Sequence, residues 1–228
     1  MDGTGDLFKW FVEALPAGMD ATAVRYPADV ELSYEQLGDV ARQAFPATEP
    51  FVIVAESFST PLAIQCASAN PTNLRGLILC AGFAASPIIG WKRVIASAVA
   101  PTFLSVAPPV SAIKMLLVGW SAGPLLIQAV RSSISSVRSG VLVQRVRTIL
   151  ESDERAELAQ IVMPILYLRP LQDKLVPARC MEEILRSTTN AKAVSVPGPH
   201  FLLQREPLRA AKAVVNFLRQ LENSPKET

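Results

Sequence analysis

The sequence has few of the residues that build disulfide frameworks, metal centres or charged binding surfaces. Its three cysteines, Cys66, Cys80 and Cys180, are odd in number and widely spaced, which fits neither a disulfide framework nor a CxxC metal site. It has one histidine, and no cluster of metal ligands accompanies it. The net charge of +2 is too small to indicate a nucleic-acid or anionic-membrane partner. We therefore expect no metal, no cofactor and no nucleic acid, and a reducing, cytoplasmic location.

The chain also lacks a signal-peptide pattern, because its first ten residues, MDGTGDLFKW, contain two acids and no apolar core. Residues 94–113 carry no charge and are long enough to span a bilayer. However, Pro101, Pro108 and Pro109 interrupt that segment, and small residues dilute it. We therefore prefer an apolar lid or interface to a membrane span, and we do not expect membrane association.

What the sequence does contain is a regular alternation of apolar runs and helical patterns. Half of its 228 residues are apolar and 18% are charged, which is typical of a folded domain with a large core. Strands are predicted at residues 21–26, 51–55, 74–80, 165–169 and 193–196. Helical patterns lie between them and after them. The alternation predicts an α/β fold, with a parallel sheet of about five strands and helices on both faces.

Residues 84–151 interrupt this alternation. The segment is rich in alanine, serine and proline, and its helical patterns, such as residues 142–150, recur without a clear strand. We interpret it as a helical cap inserted into a core formed by residues 1–83 and 152–228.

One predicted strand ends on a serine, in the stretch FVIVAESFSTP of residues 51–61. A sharp turn from strand to helix would expose the Ser57 hydroxyl at the end of the sheet. It would also require small residues two positions before and after. Those positions hold Ala55 and Ser59 where glycine is usual. Taken alone, a serine after an apolar run is also typical of a helix cap.

Two further residues favour a catalytic role for Ser57. The single histidine, His200, follows the last predicted strand in VPGPHFLLQ, and imidazole is the usual activator of a serine nucleophile. Asp173 follows the preceding strand in LRPLQDKLVP, where a carboxylate could orient the imidazole. Parallel strands end at one edge of a sheet, so the order Ser57, Asp173, His200 predicts a catalytic triad.

These motifs make the chain resemble the α/β-hydrolase superfamily of esterases and lipases. The nucleophile, acid and histidine loops of that family correspond to VIVAESFSTP, YLRPLQDKLVP and VPGPHFLLQREP. DGTGDLF, residues 2–8, is similar to the loop after the third family strand. The resemblance covers nearly the whole chain. The family's first three strands have no counterpart in it. From this we expect either a shortened family member or, preferably, a reading frame that extends upstream.

The resemblance implies a serine hydrolase that cleaves lipophilic carboxylic esters of small to medium acyl chain through an acyl-enzyme at Ser57. The backbone N–H groups of Phe58 and Met1 would form its oxyanion hole. A thioesterase or acyltransferase with the same triad, and a catalytically impaired binding protein, remain alternatives. A nucleophilic cysteine, with Cys80 at the end of a strand, is a weaker one.

Overall fold

A central parallel sheet organises the molecule in the computed structural model, which describes residues 2–91 and 108–223. Its four strands follow chain order across the sheet: β1 (Phe51–Glu56), β2 (Leu74–Cys80), β3 (Ile165–Pro170) and β4 (Ala191–Val196). Every neighbouring pair is parallel. The inner strands β2 and β3 are almost wholly buried, as expected for parallel strands covered on both faces. The predicted fold class is confirmed.

The helices occupy the positions between strands that the sequence predicts. They are Lys9–Glu13, Tyr34–Arg42, Ser59–Ser68, Val110–Ile113, Pro124–Ser135, Ser139–Glu151, Arg155–Leu158, Ala178–Ser187, Leu202–Arg205 and Pro207–Asn223, with a 3₁₀ turn at Asp6–Phe8 and a π-helical turn at Lys114–Val118. Helix Tyr34–Arg42 begins with a capping box. The Ser33 hydroxyl accepts from the Gln36 N–H, and the Gln36 side chain accepts from the Ser33 N–H.

Alternate residues of the strands supply two cores, one on each face of the sheet. Leu77 and Leu79 of β2 belong to the core beneath helices Ser59–Ser68 and Ala178–Ser187. Ile78 and Cys80 belong to the core on the opposite face, which helix Pro207–Asn223 covers. The buried sheet therefore has a rigid carboxyl edge on which loops can be positioned.

The strand predicted at residues 21–26 does not form, so the described part of the chain has a sheet of four strands where about five were expected. The Tyr26 N–H donates a hydrogen bond to the Gly3 carbonyl at 2.8 Å, which ties this extended segment to the glycine loop. Val24 and Tyr26 pack against the cluster around Leu37. Their side chains are half-buried there without strand pairing. Within the described residues, β1 is consequently an edge strand paired only with β2.

The two ends of the segment interpreted above as an insertion, residues 84–151, lie next to each other. Ala85 and Asp153 form an antiparallel bridge, and the Glu154 N–H donates to the Ala84 carbonyl at 2.7 Å. Between these points, residues 110–151 are mostly helical, and those from Ile113 to Val130 contribute to a separate apolar cluster with Leu7. The first part of the apolar segment at 94–113 lies outside the described residues. Among the residues that are described, no helix is long and apolar enough to cross a membrane.

Candidate active site

Ser57 lies at the turn between β1 and helix Ser59–Ser68, in a left-handed backbone conformation. Its φ is 54°, a region that non-glycine residues rarely adopt. Hydrogen bonds hold it there: its N–H donates to the Cys80 carbonyl at 2.9 Å. Its carbonyl accepts from the Thr60 N–H at 2.9 Å and the Thr60 hydroxyl at 2.7 Å. This strained conformation is the one expected of a nucleophile turn.

The turn forms without the two usual glycines. Ala55 is buried at the end of β1, and Ser59 is the first residue of the helix. The neighbouring segment supplies further room for the close approach, because Gly82 lies against Thr60. A Cβ atom on Gly82 would come within 2.6 Å of the Thr60 Cγ2 atom. The absence of a side chain at Gly82 therefore lets the loop after β2 come close to the first turn of the helix.

The three residues predicted to form a triad come together in one hydrogen-bonded chain. The Ser57 Oγ atom lies 2.8 Å from His200 Nε2, and His200 Nδ1 lies 2.8 Å from Asp173 Oδ2. The His200 and Asp173 side chains are 2% and 5% exposed, respectively. Burial excludes water from their contact and strengthens it. The arrangement can pass the Ser57 hydroxyl proton to the imidazole.

Asp173 is fixed by its own loop. Its Oδ1 atom accepts from the backbone N–H groups of Leu175 at 2.8 Å and Val176 at 3.0 Å, which leaves Oδ2 for the histidine. A carboxylate in contact with Nδ1 favours a proton on that nitrogen, so Nε2 is left as the acceptor facing Ser57. Both oxygens of the Asp173 carboxylate therefore accept hydrogen bonds.

Two other acidic residues, Asp153 and Glu154, lie in different environments. Asp153 is half-exposed and pairs with Arg155, whose Nε atom is 2.6 Å from Asp153 Oδ1. That pairing lowers the pKa of Asp153. Glu154 is buried at the base of the insertion, and burial raises its pKa.

Phe58, predicted from the sequence to supply an oxyanion donor, directly precedes helix Ser59–Ser68. Its N–H immediately follows Ser57, at the amino end of helix Ser59–Ser68, where backbone N–H groups have no acceptor within the helix. The Ser57 carbonyl, which belongs to the same peptide group as this N–H, is held by Thr60, and the next carbonyl, that of Phe58, accepts from the Tyr34 hydroxyl at 2.9 Å. Met1, the second donor inferred from the sequence, lies outside the described residues.

Sequence reasoning missed the role of Glu56, the residue before Ser57. It is 6% exposed, and its carboxylate accepts from the Leu203 N–H at 3.2 Å and the Gln204 side-chain amide at 2.8 Å. Burial raises its pKa, although the two hydrogen bonds and His200 act in the opposite direction. The sequence did contain a signal for Glu56, because it is an acidic residue at the end of an otherwise apolar run.

Cys80, the weaker alternative nucleophile, is fully buried. Burial raises the pKa of its thiol well above the usual range, and the charges of Glu56 and Asp173 raise it further. Its Sγ atom is 3.8 Å from Glu56 Oε1, a group that disfavours a thiolate. Metal-ligating side chains do not gather in groups of three or more in the described ranges.

Helical residues of the insertion lie directly beside the histidine loop. The Phe201 N–H donates to the Leu117 carbonyl at 2.9 Å, and Gly119 faces Pro199. Phe201 also packs on the apolar cluster of the insertion. A separate cleft of about 500 Å³ lies near residues 85–90, 151–155 and 179–186, and its lining contains none of the three triad residues. The insertion therefore borders the site, whereas that cleft does not.

Solved structures of several hydrolases are similar in architecture to this chain. A hydrolase from Oleispira antarctica has a TM-score of 0.79 at 12% identity, covering 98% of this chain and 89% of that one. A thermophilic esterase from Thermogutta terrifontis has a TM-score of 0.77 at 20% identity, covering 96% and 86%. An α/β-hydrolase enzyme from a deep-sea metagenome has a TM-score of 0.72 at 16% identity, covering 97% and 87%.

Sequence comparison gives no further guide, because no family model and no curated protein sequence matches the chain significantly. At such low identities the structural likeness concerns the fold. The chain has the α/β-hydrolase fold.

Proposed function

We propose that the protein is a serine hydrolase that cleaves carboxylic esters of small to medium acyl chain, with Ser57, His200 and Asp173 as its catalytic triad. The observation that carries the proposal is the chain of two 2.8 Å contacts through His200, which begins at a serine with positive φ. A helix cap, the alternative role for Ser57, would require neither the histidine nor the strained backbone.

In the first half of the reaction, the Ser57 oxygen forms a bond to the ester carbonyl carbon while His200 Nε2 takes the hydroxyl proton. Asp173 stabilises the imidazolium that results. His200 then gives this proton to the departing alkoxide, the carbon–oxygen bond of the ester breaks, and an alcohol leaves. The acyl group remains on Ser57.

In the second half, water loses a proton to His200 and attacks the acyl carbon. The tetrahedral species collapses to the carboxylic acid, and Ser57 regains its proton from His200. The Phe58 N–H would stabilise the oxyanion in both halves, aided by the positive end of helix Ser59–Ser68. We keep the Met1 amide as the proposed second donor.

The acyl group that we propose is lipophilic. Residues 84–151 would act as a cap, and its helices bring an apolar cluster next to the histidine loop through Leu117 and Phe201. Such a surface favours hydrocarbon chains over charged substrates. The three buried, unpaired cysteines are consistent with the cytoplasmic location that we also propose.

A fluorophosphonate probe tests the proposal directly. We expect it to add to Ser57 of the wild type and not to Ser57→Ala, with the labelled peptide identified by mass spectrometry. Folded wild-type protein that resists the probe and cleaves no p-nitrophenyl ester would favour a non-catalytic binding protein. Comparing oxygen esters with matched thioesters, with and without an alcohol acceptor, then separates an esterase from a thioesterase or acyltransferase.

A further inference from the structure

The Glu56 carboxylate connects the nucleophile strand with the segment that carries the histidine. Glu56 is the last residue of β1, directly before Ser57. Its Oε1 atom accepts from the backbone N–H of Leu203, and its Oε2 atom accepts from the Gln204 amide. Both partners belong to helix Leu202–Arg205, which begins two residues after His200. The Glu56 carboxylate therefore links the end of β1, next to Ser57, to the helix that follows His200. The separation of these two segments sets the distance between Ser57 and His200.

Among the described residues, the backbone of residues 198–201 makes two hydrogen bonds to other parts of the chain. The Gly198 carbonyl accepts from the Gln172 N–H at 2.9 Å, beside the aspartate. The Phe201 N–H donates to the Leu117 carbonyl at 2.9 Å, in the insertion. These two contacts fix the loop to the acid loop and to the cap. Neither of them fixes it to the serine.

We propose that Glu56 is a positioning residue for His200, and that its two hydrogen bonds hold the imidazole at hydrogen-bonding distance from the Ser57 hydroxyl. This inference rests on the proposed hydrolase function for its kinetic consequences. A displacement of about 1 Å at a reacting group can lower a rate by about a hundredfold. The attachment therefore matters for turnover beyond its effect on stability.

The choice of residue at position 56 supports a specific role. Residues 51–55 are all apolar, and a leucine at position 56 would continue the strand without placing a carboxylate in the core. Burying a carboxylate is costly unless hydrogen bonds compensate for lost water. Here the two nitrogen donors come from the histidine-bearing segment, and the Cys80 thiol of β2 adds a weaker contact at 3.8 Å, so the carboxylate is stabilised mainly where that segment is correctly placed.

Gln204 allows the hydrogen bonds to be separated from the charge. Its Oε1 atom is buried without a hydrogen-bond partner among the described residues. In Glu56→Gln, the Gln204 amide could turn over, so that this oxygen accepts from the new amide while the Leu203 N–H keeps its acceptor. Glu56→Gln therefore keeps both hydrogen bonds and loses the charge. Glu56→Leu loses the two hydrogen bonds and the charge.

The experiment compares these two variants with the wild type by kcat per folded molecule on a p-nitrophenyl ester. We expect Glu56→Gln to stay within about threefold of the wild type. We expect kcat of Glu56→Leu to fall roughly tenfold to hundredfold, with KM changed by less than about threefold. Glu154→Leu is the matched control, since it removes another buried carboxylate and should leave kcat close to that of the wild type.

A second readout does not depend on activity. The chain has one histidine, so protein prepared without a histidine tag gives a single set of imidazole signals in NMR spectra. The low-field Nδ1–H signal of His200 should be sharp in the wild type and in Glu56→Gln. It should be broadened or lost in Glu56→Leu and unchanged in Glu154→Leu.

Unchanged kcat and an unchanged histidine signal in Glu56→Leu would overturn the inference, as would a loss in Glu56→Gln equal to that in Glu56→Leu. If Glu56→Leu does not fold, Gln204→Leu removes one of the two hydrogen bonds and should show a smaller effect in the same direction; no effect would overturn it. If the wild type cleaves no ester, the proposed function fails, and the NMR comparison alone decides the role of Glu56.

Discussion

Replacing Asp173 by asparagine should trap His200 in the wrong tautomer. Two backbone N–H groups, those of Leu175 and Val176, point at Asp173 Oδ1 and require an acceptor there. The asparagine must therefore place its oxygen at that position, and its NH₂ group faces His200 Nδ1 at about the position of Oδ2. A donor in that place obliges Nδ1 to accept, so the ring proton moves to Nε2.

The changed tautomer prevents His200 from activating Ser57. With a proton on Nε2, the imidazole donates toward the serine oxygen and cannot take the hydroxyl proton. A trapped tautomer of this kind typically lowers kcat by about 10⁴-fold. That loss corresponds to about 5.4 kcal/mol in the activation free energy. The loop should stay folded, because the hydrogen bonds at Oδ1 are kept.

The assay is hydrolysis of a p-nitrophenyl ester, with circular dichroism to confirm folding. Asp153→Asn is the matched control: that carboxylate is half-exposed and bound to Arg155, so turnover should change by less than about threefold. The ¹⁵N shifts of the single histidine report the tautomer independently. Asp173→Asn with more than about a tenth of wild-type turnover, or an equal loss in Asp153→Asn, would refute the triad as assigned.

Three other predictions concern the nucleophile strand and its turn. Ser57→Ala should abolish hydrolysis and leave the melting temperature nearly unchanged, whereas Ser57→Gly should also be inactive but more stable by about 1 kcal/mol, because glycine tolerates positive φ. Tyr34→Phe should lower the free energy of unfolding by about 0.5–1.5 kcal/mol in urea titrations, through loss of the hydrogen bond to Phe58; no change would argue against that contact. Because burial raises the pKa of Glu56, the folded state holds its proton more tightly than the unfolded state, so wild-type stability should fall relative to Glu56→Gln as the pH rises from about 4.5. A stability difference that does not vary with pH would contradict that shift.

The sequence was a good guide wherever the pattern was local and repeated. The apolar runs at β1, β2 and β3 are long and bounded by helical patterns, so their assignment needed no knowledge of distant contacts. The positions of Asp173 and His200 followed from the rule that parallel strands end at one edge. Their closeness to Ser57 in the structure is a consequence of the sheet order β1-β2-β3-β4.

The errors and omissions came from contacts between distant residues. Residues 21–26 have the composition of a strand, but a strand needs a partner along its length, and this segment has one backbone hydrogen bond to Gly3. Glu56 could be identified as unusual in an apolar run, but its partners, Leu203 and Gln204, are more than 140 positions away. No local pattern specifies which residues a buried carboxylate will meet.

The nucleophile turn explains why a motif can be altered while its geometry is kept. Glycine is usual two residues before and after the serine because strand and helix approach closely there. What the geometry requires is space, and Ala55 and Ser59 are small, while Gly82 lets the neighbouring loop approach Thr60. The Thr60 hydroxyl then uses that proximity, because it donates to the Ser57 carbonyl and accepts from the Phe83 N–H. The positive φ of Ser57 is therefore maintained by contacts across two loops, and a search for glycines alone would miss this turn.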